Sequence, residues 1–193
     1  MKVFLAPPKG PKELVAFIDW LTHHGFEPIT LQSNTPINGP LILAGGADIG
    51  KDTSRDINEL RWIQEALVKK QPIIGVCRGM QILNHYFGGT VEDLDLVLEE
   101  AHAAADFSDA ADHTRRPSRL HLIEDRDGNQ MQVNSRHHQY CDKIADNFTK
   151  THVGGGIVEA IEDLDRQIWA VQWHPERMES DDNLYPLDKL FAK

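Results

Sequence analysis

Cys77 stands in the string Gly75-Val-Cys-Arg-Gly79, at the end of an apolar run and directly before a segment of helical period. A small residue two before and a glycine two after let the chain turn sharply from strand to helix, projecting the central side chain at the carboxyl edge of a sheet. A thiol held there sits at a helix N-terminus, where unpaired N–H groups and the helix dipole favour the thiolate, and Arg78 adds positive charge. The expectation is a cysteine of lowered pKa and high reactivity. The alternative is the usual state of a free cysteine, a buried packing residue.

A thiolate nucleophile works with a base, and the base with an acceptor that orients it. Ala170-Val-Gln-Trp-His-Pro-Glu176 ends an apolar run with His174 and Glu176 two residues apart and Pro175 fixing the backbone between them. Ten histidines in the chain make a chance candidate easy to find, so this pair is informative only in combination. The third segment is Leu43-Ala-Gly-Gly-Ala-Asp48, where a strand ends in paired glycines. Backbone N–H groups there, with that of Arg78, could form an oxyanion hole; an ordinary glycine turn is the alternative. Cys141 has no flanking glycines, follows Tyr140 at an expected helix start, and is read as a packed residue.

The elements that must position these groups alternate. Lys2 to Ala6, Glu27 to Leu31, Leu41 to Ala44 and Pro72 to Cys77 read as strands, and Pro11 to Gly25, Asp56 to Lys70 and Arg78 to Phe87 as helices. That order is the pattern of a parallel sheet covered by helices. Arg119 to Glu124, Gln130 to Val133, Ile157 to Ile161 and Ile168 to Trp173 read as further strands, and Leu184 to Ala192 as a closing helix. The stretch from Glu99 to Pro117 is rich in Ala, Asp, His and Arg and reads as an exposed loop. Phe17, Trp62, Phe87 and Trp169 read as core, with Trp173 divided between core and pocket.

At 193 residues, one domain over residues 1–193 is expected, with a core that needs no disulfide or metal staple. Hydrophobic residues at 40% and charged residues at 26% exclude disordered and coiled-coil readings. The formal charge of −10 and the lack of a basic stripe argue against nucleic acid and anionic membranes as partners. Pro7-Pro8 cuts the apolar start short of a signal peptide, and no window approaches a membrane span. With two cysteines, a cytoplasmic protein without a structural disulfide is expected.

Taken in order, LAGGAD, GVCRGMQILN with Gly88-Gly89, VNSRHHQ at 133–139, GIVEAIE at 156–162 and AVQWHPE at 170–176 resemble the class I glutamine amidotransferases. The resemblance is in particular to their γ-glutamyl hydrolase branch, which includes γ-glutamyl-γ-aminobutyrate hydrolases. It implies an α/β fold of three layers, a mostly parallel central sheet with helices on both faces. It implies Cys77 as nucleophile, His174 as general base and acid, and Glu176 as the residue orienting His174. Gly46 and Arg78 would supply oxyanion-hole N–H groups. Gly45, Gln81, Asn134, Ser135, Arg136 and His137 would bind substrate, and neither metal nor organic cofactor is implied.

The reaction so implied is cleavage of a γ-glutamyl amide through a γ-glutamyl thioester, releasing glutamate and an amine. The alternative is a glutaminase that passes ammonia from glutamine to a separate synthetase; a homodimer is equally compatible. Arg78 favours the hydrolase, because the residue after the cysteine is commonly Arg in that branch and often apolar or aromatic in synthetase-coupled enzymes. A relative without activity, acting as a binding module, is disfavoured by intact Cys77, His174 and Glu176. Ile49-Gly50 stands where many γ-glutamyl hydrolases have a proline, which leaves the pocket wall and the released amine open. A substrate carboxylate in so acidic a protein needs local positive charge, for which Arg78 and Arg136 are the candidates.

Overall fold

The computed structural model describes residues 1–95, 119–178 and 184–191, so the loop expected at 99–117 lies outside the described residues. The first half alternates β1 (Lys2–Ala6), α1 (Pro11–His23), β2 (Glu27–Thr30), β3 (Leu41–Leu43), α2 (Thr53–Val68), β4 (Ile73–Val76) and α3 (Arg78–Tyr86). The second half is β-rich: β5 (Val91–Asp93), β6 (Arg119–Asp125), β7 (Gln130–Ser135), β8 (Gln139–Cys141), β9 (Thr149–Gly154), β10 (Ile157–Asp163) and β11 (Ile168–Val171).

Among the described residues, nine strands form one sheet in the order β2-β1-β3-β4-β11-β10-β9-β6-β7. The pairs from β2 through β11 are parallel, and those from β11 through β7 are antiparallel. Strand alternation serves two cores at once. Phe4, Ala6, Leu41, Leu43 and Ile73 meet Trp62 and Ile63 of α2 and Met80 and Leu83 of α3. Val3, Leu5, Ile42, Ile74 and Val76 meet Phe17, Trp20 and Leu21 of α1 on the other face. The three-layer arrangement with helices on both faces therefore holds.

Several local readings change. The expected helix from Leu184 to Ala192 is a 3-10 turn over Leu187–Leu190, because Pro186 has no N–H and interrupts the ladder. Cys141 ends strand β8, where it pairs with Val91 of β5, and does not start a helix. The strands β5, β8 and β9 escape a reading by period, since Val-Glu-Asp, Gln-Tyr-Cys and Thr-Lys-Thr-His-Val-Gly lack apolar alternation. Trp173 is fully buried and stacks on Tyr185, which places it in the core.

What positions chemistry is the order β3-β4-β11. Three parallel neighbours carry their carboxyl ends on one edge, so the segments that follow them, distant in sequence, converge there. Gly75 sits between Leu43 of β3 and Ala170 of β11 in the ladder. A Cβ on Gly75 would lie 2.7 Å from the Gly79 backbone, and one on Gly79 would strike the Leu43 carbonyl. Both glycines are thus required by the depth at which α3 seats on the sheet. Gly79→Ala should destabilise the fold by about 3 kcal/mol or more through overpacking against backbone. Gly128→Ala, at an open turn with φ +83°, should cost about 1–2 kcal/mol from backbone strain alone. Urea denaturation of the two variants checks the contrast.

Candidate active site

Cys77 occupies the turn between β4 and α3 with φ 53° and ψ −107°, a backbone conformation that L residues rarely adopt. Its N–H donates to Val171 O at 2.8 Å and its carbonyl accepts from Met80 N at 2.9 Å, which hold the strained turn at both ends. The side chain consequently points away from the strand direction, at the N-terminus of the nine-residue helix α3.

His174 follows β11 and is clamped by the amide of Asn134. His174 N–H donates to Asn134 Oδ1 at 2.8 Å, and Asn134 Nδ2 donates to His174 O at 2.7 Å. Pro175 then opens a 3-10 turn over Pro175–Arg177 that returns the Glu176 carboxylate to the ring, with Nδ1 donating to Oε1 at 2.7 Å. His174 and Cys77 come together around Gly45: a Cβ there would fall 2.9 Å from His174 Cε1 and 3.6 Å from Cys77 Cβ. Burial disfavours the imidazolium, but the charges of Glu176 and Cys77 and their hydrogen bonds outweigh it, and His174 is pushed up to about 10. Cys141 differs: burial pushes its thiol well above the ordinary range.

The remaining expected residues divide. Gly46 has φ +158° and lies directly against the Arg55 guanidinium. Arg78 is a correction: its side chain is 1% exposed and donates to Glu59 Oε2 and Asp56 Oδ1, so its charge is neutralised inside the fold and does not face a substrate. Asn134, expected as a substrate contact, has both ends of its amide committed to the His174 backbone. Gln81 donates to Gln139 O at 3.1 Å and Gln172 Oε1 at 3.3 Å, and His137 Nδ1 donates to Gln139 O at 3.0 Å, so both brace β8. Ser135 is fully buried at the end of β7. Arg136 is half-buried; burial and then Arg177 lower its pKa, while Glu13, Glu176 and Cys77 favour its charge.

Gln172 escapes a reading of the sequence. It is fully buried, and its Nε2 donates to Cys77 Sγ at 3.6 Å while its Oε1 receives Gln81. Its place two residues before His174, at an inward position of an otherwise apolar strand end, is the available signal. Arg177 escapes as well: it reaches Glu176 Oε1 and Glu13 Oε1, each at 3.6 Å. Among the described residues, no group of three or more His, Cys, Asp or Glu side chains could hold a metal ion. No helix among them is long and apolar enough to cross a membrane.

A buried cysteine on a strand-to-helix turn, beside a histidine that a carboxylate orients, is an arrangement suited to acyl transfer through a thioester. The chain belongs to the Peptidase C26 family, whose model matches residues 41–176, and it is built on the class I glutamine amidotransferase fold. It is 35% identical over 157 residues to the glutamine amidotransferase-like protein YvdE of Lactococcus lactis, covering 70% of this chain and 65% of that one. It is 34% identical over 137 residues to a glutamine-hydrolysing GMP synthase component of Halobacterium salinarum, covering 70% and 65%. A crystal structure of a glutamine amidotransferase from Thermotoga maritima superposes with a TM-score of 0.70 at 15% identity, over 91% of this chain and 76% of that one. The chain thus spans about two thirds of the length of these curated relatives.

Because His174 is raised in the folded protein, its contribution to stability is complete below its unfolded value near 6.5 and is lost as pH rises through about 10. Glu176→Gln should lower the His174 midpoint and flatten the stability profile between those limits, read by NMR titration of labelled histidine and by urea denaturation at pH 6 and pH 9. Iodoacetamide should alkylate Cys77 in the native protein and spare Cys141 until denaturant is added, as peptide mass mapping would show.

Proposed function

We propose that residues 1–193 act as one catalytic domain, a cysteine-dependent hydrolase that cleaves the γ-glutamyl amide bond of a small γ-glutamyl compound. The observation that carries this reading is the meeting of Cys77, His174 and Glu176 at one sheet edge, with His174 hydrogen-bonded to Glu176 and packed with Cys77 around Gly45. The Cys77 thiolate attacks the γ-carbonyl carbon, and the negative charge forming on oxygen faces the backbone N–H groups of Gly46 and Arg78. His174 gives its proton to the departing nitrogen as the C–N bond breaks, leaving a γ-glutamyl thioester.

The raised pKa of His174 suits the first half of this cycle, and the thioester changes it. Once Sγ is acylated, its negative charge no longer favours the imidazolium, so His174 stays neutral after giving up its proton and is free to act as the general base. It then takes a proton from water as the oxygen attacks the thioester carbon. Collapse of that intermediate releases glutamate and returns the thiolate and imidazolium. Gly45 leaves room beside Cys77 for the acyl group. Arg136, with Arg177 beside it, lies within electrostatic reach of Cys77 and replaces Arg78 as the partner of a substrate carboxylate.

The second reading, a glutaminase that delivers ammonia to a synthetase, is favoured by the likeness to the GMP synthase component. The Peptidase C26 match and the Arg78 in the cysteine motif favour the hydrolase. Purified protein offered a panel of γ-glutamyl amines, with glutamine as comparator, separates the two. The hydrolase reading expects turnover of at least one γ-glutamyl amine faster than glutamine and none in Cys77→Ala. Rapid turnover of glutamine alone would overturn it in favour of the glutaminase. Arg136→Gln should raise KM about tenfold or more with kcat little changed, the loss of one charge-assisted hydrogen bond.

A further inference from the structure

Beneath the site lies a buried group of four charges that the triad does not use. Arg55, Asp56 and Glu59 belong to the first two turns of α2, and Arg78 opens α3. Arg55 Nε donates to Glu59 Oε1 at 2.8 Å, Arg78 donates to Glu59 Oε2 and to Asp56 Oδ1, and Asp56 Oδ2 accepts from Gly50 N at 2.7 Å. Two guanidinium groups against two carboxylates make the set neutral, which lets four ionised side chains stay inside the fold.

The set grips the glycine segment at both ends. At the far end Asp56 holds Gly50, and at the near end Arg55 Nη2 donates to both Ala44 O and Gly45 O at 3.0 Å. In a trans peptide the carbonyl and the following N–H point in opposite directions. Holding the Gly45 carbonyl on the Arg55 side therefore turns the Gly46 N–H to the other side. Gly45 itself marks that side as the one facing His174 and Cys77, and Gly46 Cα packs on Arg55.

We infer that Arg55 is a positioning residue for the proposed oxyanion hole. It fixes the 45–46 peptide with its N–H towards the sulfur, and Glu59 holds Arg55 in register with Arg78, whose own backbone N–H is the other proposed donor. The two donors thereby share one ionic base, although they come from different strand ends. This inference rests on the acyl-transfer reading above and adds a residue that touches no substrate.

The test uses Arg55→Lys, which keeps the charge but cannot hold two carbonyls and Glu59 together, and Glu59→Gln as a milder second variant. With glutamine and a γ-glutamyl anilide as substrates, kcat should fall about 100-fold in Arg55→Lys, the loss typical of one oxyanion donor, with KM within about threefold. Alkylation of Cys77 by iodoacetamide, which needs the thiolate but no oxyanion hole, should stay within about twofold of the parent rate. In protein labelled with 15N-glycine, the Gly46 amide should exchange with solvent faster in both variants. An unchanged kcat, alkylation falling in step with kcat, or an unaltered Gly46 amide would each overturn the role of Arg55. If Arg55→Lys does not fold, Glu59→Gln decides by the same three readouts. Should the parent protein turn over neither substrate, the acyl-transfer reading fails, while the amide exchange still reports whether Arg55 holds the peptide.

Discussion

The depth at which α3 seats against β3 and β4 is the constraint from which the site follows. Gly79 packs on the Leu43 carbonyl with no room for a side chain, and Gly75 packs on Gly79. With the helix so close to the strand end, the connection between them has a single residue in which to reverse, and Cys77 absorbs that reversal as a positive φ. Strain of this kind costs about 1–3 kcal/mol and persists only where surrounding packing over-determines it. Here the two apolar cores on either face of the sheet supply that packing. The sulfur of Cys77 is thus presented by the backbone path, and the same path places it at a helix N-terminus.

Electrostatics inside the fold runs against the overall acidity of the chain. Around the sulfur, Glu176 and Cys77 favour the charged form of His174, and its backbone is fixed by Asn134. One layer further in, the Arg55, Asp56, Glu59 and Arg78 set joins the glycine segment to the turn that carries Cys77. Asp56, in the first turn of α2, fits the sign of the helix dipole, and the buried partner that Asp56 and Glu59 share is Arg78. Arg136, on the exit of β7, lies beside Arg177 of the His-Pro-Glu turn, and Arg177 reaches Glu13 and Glu176.

Much of the fold is legible because its period is clear. Pro11 to Gly25 and Arg78 to Phe87 show helical spacing with glycine stops, and the strands β1, β3 and β4 are short apolar runs. The elements that escape are polar ones. β5, β8 and β9 are held by their pairing partners, which a single segment does not display, and the helix expected near Leu184 ignores Pro186. At the site, Cys77, His174 and Glu176 are readable from glycine spacing and the Pro-fixed pair. Gln172 and Arg177 are not, since an isolated Gln at a strand end and an Arg after a glutamate have no distinctive spacing.

Residue types and local spacing determine by themselves which side chains have reactive chemistry, where the sharp turn falls, and that helices cover a largely parallel sheet. The partners of those side chains are decided by tertiary structure alone. Strand order sets β3, β4 and β11 side by side and brings three separate segments to one edge. Arg78 reads as a candidate partner of a substrate carboxylate in sequence and is a buried ion-pair member in the fold; Asn134 reads as a substrate contact and is a clamp on His174. The physical reason is that hydrogen bonds and ion pairs depend on distance in space, and residues separated by a sheet crossover acquire that distance only when the layers pack.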